Sequence, residues 1–179
     1  MTEQLGSTPA YSRDDKGLLD GINYTYRQDG SIDWRAMVDS NYLVPNKENF
    51  PEGTDTTTLN ISELDDSHLL LVLPGIKEIA GIRGFTKVDY EVLESGSEYV
   101  SVKCTIDWIP NFETGMQPVQ YSALADAHES NTSGFARKFL MAIAENRSFS
   151  RTVRNFLRIN VIGQDELDPK EQEELFDII

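Results

Sequence analysis

The chain reads as an α+β protein: a three-stranded antiparallel meander packed against a long basic helix, in the order helix, strand, strand, strand, helix. An N-terminal extension and an acidic C-terminal tail flank this core. Three observations predict it. In residues 99–108, Val100, Val102, Cys104, Ile106 and Trp108 alternate with Tyr99, Ser101, Lys103, Thr105 and Asp107, the period of a half-buried strand. Residues 87–92 and 119–127 flank it with short connections, which favours antiparallel neighbours over crossovers. Residues 133–160 carry Phe135, Phe139, Ala142, Phe149, Val153 and Phe156 at helical spacing, an apolar stripe able to cover one face of such a sheet.

Each element has its own signals. Residues 1–20 are polar and weakly periodic and read as a flexible arm; residues 21–163 read as one domain and 164–179 as the tail. Ile22 to Tyr26 predicts a short strand before an Asp29-Gly30 turn, and Asp33 a cap for a helical turn carrying Trp34, Met37 and Val38. Trp34 suits a core anchor better than a base platform. Residues 40–60, with two prolines, read as loop. Ser62 or Ser67 offers a cap for a helix through SHLLLVLPGIKEIAGIR. Pro74 either kinks it or begins a second helix, and Gly84 suits its end. Pro169 begins a short terminal helix whose apolar end, Leu175 to Ile179, either packs on the core or docks a partner.

Charge is unevenly spread. The chain carries a net −14, yet residues 133–160 sum to +5. Arg147, Arg151, Arg154 and Arg158 recur at steps of four, three and four, so they share one side of the helix, roughly opposite Phe149. A solvated charged face is the ordinary reading of such a row. In a chain this acidic, solubility needs no cations, and the row reads as an anion site. Overall acidity opposes nucleic-acid binding; residues 164–179 hold −6 of it, away from the helix.

Composition narrows the alternatives. No apolar run approaches the roughly 20 residues that span a bilayer, and the first residues lack the basic and apolar regions of a secretory signal. The single cysteine, Cys104, excludes an internal disulfide framework and suits a reducing cytoplasm. Cys104 with His68 and His128 forms no zinc-ligand pattern. Asp126, Glu129 and Glu145 are close in sequence but follow no metal-ligand spacing, so a metal-dependent nuclease is the weaker reading.

The order and residues together resemble the Rad52-like single-strand annealing proteins, including their bacteriophage relatives. Residues 74–160 carry the likeness: GIKEIAGIRGF running directly into a strand, EYVSVKCTIDW and ALADA in the meander, and FSRTVRNFLRIN as a basic-helix signature. The resemblance implies a non-enzymatic protein that needs neither ATP nor metal. It would hold single-stranded DNA by its phosphates, without sequence specificity, and promote annealing of complementary strands in phage-type recombination. It also implies rings or helical homo-oligomers in a bacterial host's cytoplasm. The family's DNA-contacting basic residues fall on Arg151 and Arg154, and its aromatic on Phe156. Where the family has two adjacent basic residues, this chain has Ser150 before Arg151, leaving Arg147 or Arg158 to supply the second group. Arg137, Lys138 and Lys103 complete the expected contacts. The tail resembles the acidic tips by which single-strand-binding proteins dock replication and recombination partners; removing residues 165–179 is expected to tighten DNA binding. A strand-protecting protein and a non-DNA adaptor are the alternatives. The nucleic-acid assignment has one condition: the guanidiniums of this row must face solvent rather than local carboxylates or the interior.

Overall fold

A computed structural model describes residues 12–132 and 134–167. The fold is mixed α+β, with two α-helices and two three-stranded sheets among those residues. The first sheet holds β1 (Leu43–Pro45), β2 (Leu69–Leu71) and, at the far end of the chain, β6 (Ile162–Gly163). The second holds β3 (Phe85–Ser95), β4 (Tyr99–Trp108) and β5 (Val119–His128) in antiparallel order. Helix α1 (Leu73–Arg83) links the two sheets, and α2 (Leu140–Leu157) lies against β4 and β5.

The alternation in β4 decides the second sheet. Val100, Val102, Cys104, Ile106 and Trp108 are all buried, and fully burying an aliphatic side chain stabilises by about 1.5–3 kcal/mol. The opposite face is polar: Lys103 Nζ donates to Glu91 Oε2 at 3.2 Å, and Thr105 and Ser122 hydroxyls meet at 2.8 Å. Such cross-strand pairs fix the register, in which Val102 faces Val92 on one side and Ala125 on the other.

Helix α1 begins after β2, with Pro74 in its first turn, where the missing N–H costs nothing. Neither Ser62 nor Ser67 caps it; Val72 precedes it without a side-chain cap bond. Leu69–Leu71, expected as helix, form instead a strand buried on every face, a run that periodicity cannot tell from buried helix. The helix ends at Gly84, whose φ of +84° is open to glycine and strained for other residues. The Arg13 guanidinium lies over that end, donating to the carbonyls of Ile82 at 3.3 Å and Arg83 at 3.2 Å, a cation at a helix C-terminus. Leu18 is buried. The part of the expected flexible arm that is described, from Ser12 on, is therefore docked on the domain. The expected strand at residues 22–26 reduces to a single bridge, Tyr26 to Ile32, around the Asp29-Gly30 turn. Trp34 is a core residue; its indole Nε1–H donates to Glu113 at 3.0 Å.

The long helix expected over 133–160 is shorter. Gly134–Phe139 form a 3-10 stretch, and α-helix starts only at Leu140. A 3-10 stretch turns every three residues, so the phase set by Phe149 and Val153 does not carry back across it. The buried stripe runs through Leu140, Ala144, Phe149, Val153 and Leu157; Phe135 and Phe139, in the 3-10 stretch, are exposed, as is Ala142 in the first turn of α2. The terminal helix expected from Pro169 lies outside the described residues.

Candidate nucleic-acid interface

The row of arginines is built as the sequence spaced it, but its surroundings differ. The reading took the far side of α2 as solvent. The chain instead turns sharply at Arg158, in left-handed conformation at φ 56°, and comes back along the helix. Ile159 and Val161 are buried, β6 pairs parallel with β2, and Gln164–Glu166 form a 3-10 turn against α2. This return segment takes up the guanidiniums.

Arg147 is 6% exposed. Its Nε donates to Asp165 O at 2.8 Å, Nη1 to Asp126 O at 3.0 Å and Asn131 Oδ1 at 2.9 Å, and Nη2 to Asn131 O at 2.7 Å and Leu167 O at 3.0 Å. The rigid fork of donors is matched to acceptors from three parts of the chain. Arg154 ties the helix end to the return segment, with Nη1 on Ile159 O at 3.1 Å and Val161 O at 3.0 Å, and Nε and Nη2 on the Glu166 carboxylate. Arg151 shares that carboxylate, at 3.3 Å, and donates to Leu124 O at 2.8 Å. The Glu166 side chain is only 4% exposed. Breaking a buried pair such as Arg154–Glu166 costs several kcal/mol, so Arg154 is held, while the Arg151 side chain is 40% exposed and held less firmly.

The condition set on the row is therefore not met. Arg147 points into the protein, and Arg151 and Arg154 are matched by a local carboxylate. The expectation that they form a free track for DNA is corrected: they staple the return segment to α2. Asp165–Leu167 belong to that staple, so a truncation probing tail charge has to begin at residue 168. Lys103 sits on the outer face of the sheet, ion-paired with Glu91. Asp126 accepts from Asn131 Nδ2 at 2.9 Å.

The remaining expected contacts lie at the two ends of α2. At its start, the 3-10 stretch presents Phe135, 71% exposed, and Phe139, 50% exposed, with ring centroids 5.2 Å apart and planes tilted by 55°. Lys138 Nζ stands 5.6 Å from the Phe135 centroid, and Arg137, exposed, holds its Nε on Thr132 O at 3.3 Å. Two aromatic faces in water beside two cations are an arrangement that can stack an unpaired base and neutralise a phosphate. Sequence spacing puts these phenylalanines in the core stripe; the structure puts them in solvent.

At the other end, Arg158 is exposed and borders a cleft that also takes in Arg27, Arg83 and Phe156. Phe156 stacks on Trp108 at 4.6 Å with planes 11° apart. Arg83, in the last turn of α1, is 2% exposed. Burial is the main cause that lowers its pKa to about 10, with nearby Glu113 opposing, so it remains charged at neutral pH. No family model, curated protein or solved structure matches this chain.

Proposed function

We propose that this protein binds single-stranded DNA without reading its sequence and promotes annealing of complementary strands. The contact is the Phe135–Phe139 turn with Arg137 and Lys138. The observation that carries the reading is the pair of adjacent phenylalanines held in water beside cations, in a chain that buries its other apolar stripe on α2. Nothing on that turn is arranged to read base edges, so recognition rests on stacking and phosphate charge. The element order α1, β3, β4, β5, α2 supports the same reading, since it is the order of the annealing-protein core that the sequence resembles.

Repetition extends one short platform into a path, which is how copies of the chain would hold a strand long enough to pair. Tyr90, Val92 and Leu93, exposed on the edge strand β3, are the surface proposed for that self-association. With only two cations per copy, the salt dependence is shallow: about 0.7 per neutralised phosphate on a single strand, or roughly −1.4 in log K against log salt. Stacking carries the rest, about 1–3 kcal/mol per base.

Fluorescence anisotropy with a labelled oligothymidine tests this. Phe135→Ala with Phe139→Ala is expected to weaken binding by at least about tenfold, with melting temperature unchanged, since both rings are solvated. Unchanged affinity removes the platform. No binding by the wild-type protein removes the DNA reading altogether. Faster annealing of complementary strands separates an annealing protein from one that only protects.

A further inference from the structure

A cleft of about 390 Å³ opens between the 27–34 hairpin, the 112–114 turn and the C-terminal end of α2. That volume is in the range of small-molecule sites. Its charges are unbalanced in a specific way. Arg83 lines it with a buried guanidinium: Nη1 donates to Ile109 O at 2.7 Å, but Nη2 has no hydrogen-bond partner. The rings of Trp108 and Phe156, 5.8 and 5.6 Å from its Cζ, attract the cation without accepting a full hydrogen bond. A buried donor left without a partner is costly, and it leaves the Arg83 charge without a hydrogen-bonded anion behind the cleft wall.

The other cations of the cleft are matched only at longer range: after the Ser31 hydrogen bonds, Arg27 and Arg158 both help to hold the Asp29 carboxyl below its ordinary pKa. Arg158 makes no ion pair among the described residues, and Arg27 reaches only Asp33, at 3.8 Å. The acids there are already engaged. Glu113 accepts from Ile32 N, Trp34 Nε1 and Asn111 Nδ2, at 3.0, 3.0 and 3.3 Å. Asp29 accepts the amide and hydroxyl of Ser31 on one oxygen, at 2.9 and 2.6 Å. Trp34, Phe112 and Phe156 supply apolar wall beyond what a bare inorganic anion fills.

We propose that this cleft binds a phosphate-bearing ligand of mononucleotide size, its oxyanion held by Arg27 and Arg158 at the rim, in the field of the buried Arg83 guanidinium behind them. The site is separate from the Phe135–Phe139 platform and stands whether or not that platform binds DNA. Isothermal titration of the full chain with dAMP, adenosine and inorganic phosphate tests it. Saturable binding of dAMP is expected, with adenosine and inorganic phosphate each at least about tenfold weaker, the difference made by one charge-assisted contact or by the lost ring. Arg158→Ala and Arg27→Ala, both at the rim, should each weaken dAMP by at least about tenfold while melting as wild type does. Arg83→Lys keeps the charge and loses the fork, and is read beside its own melting curve. Absence of saturable dAMP binding in the millimolar range overturns the proposal. So does adenosine binding as tightly as dAMP, or an affinity unmoved in Arg158→Ala. Competition by a 5′-phosphorylated oligonucleotide, but not its 5′-hydroxyl counterpart, assigns the ligand to a strand end; competition by neither assigns it to a free nucleotide.

Discussion

Arg147 provides the sharpest distinction between a binding arginine and a structural one. Arg147→Ala removes a fork that satisfies the carbonyls of Asp126, Asn131, Asp165 and Leu167 and the Asn131 side chain. A hydrogen bond to a charged group contributes about 1.5–3 kcal/mol, but these share one side chain and do not add. Some of the freed carbonyls reach water once the side chain is gone. The expected loss is therefore about 3–5 kcal/mol, the range for breaking a buried charged network. For a chain of this length that lowers the melting temperature by roughly 6–20 °C. Urea titration followed by tryptophan fluorescence measures it, and Arg147→Lys, which keeps charge but not the fork, should lose a large part of the same amount. At a temperature where both proteins are folded, oligonucleotide affinity should be unchanged. A stability loss below about 1 kcal/mol, or wild-type stability with reduced DNA affinity, refutes the structural assignment and restores Arg147 to the binding surface.

Two further predictions concern buried titratable groups. Asp165 has one oxygen on Ser150 Oγ at 2.6 Å and the other without a partner, and burial raises its pKa above the ordinary 3.8. A carboxyl raised in the folded state holds its proton there more tightly than in the unfolded chain, so it destabilises as pH rises from 3.8 through the raised value. Asp165→Asn should thus be more stable than wild type at pH 7 by denaturant titration, with the difference shrinking in acid; a loss at pH 7 with no recovery in acid contradicts this. Cys104 is fully buried and its thiol is pushed up to about 11, chiefly by burial. Native protein should resist a thiol-specific chromogenic reagent at pH 8 and react at the rate of unfolding; rapid native labelling contradicts the burial.

The sequence made some of this legible and hid the rest for identifiable reasons. β4 is plain because ten residues alternate without a break, and its neighbours follow from short connections. β1, β2 and β6 are two or three residues long, shorter than any period can show, and β6 pairs with a strand far back in the chain. The arginine spacing on α2 is legible in the sequence; what covers that face is not. A helix face becomes a binding surface only if nothing else folds over it, and that was decided by Ile159, Val161 and Glu166, whose packing has no periodic signature. Phe135 and Phe139 were misplaced because a helical phase was carried through a 3-10 stretch. Arg83 gave no sign at all, since a lone arginine before a helix-ending glycine looks like an ordinary surface cation.

The parallel pairing of Leu70 with Ile162 has a consequence for biogenesis. The small sheet cannot close until residues 162–163 have left the ribosome, long after β1 and β2 have been made. Until then β2 exposes apolar leucines, and Arg147 and Arg154 lack acceptors supplied by the return segment. Late closure of this kind slows folding and leaves the nascent chain open to aggregation. A chain arrested before Gly163 would leave β2 unpaired on that side and half the guanidinium staple unmade.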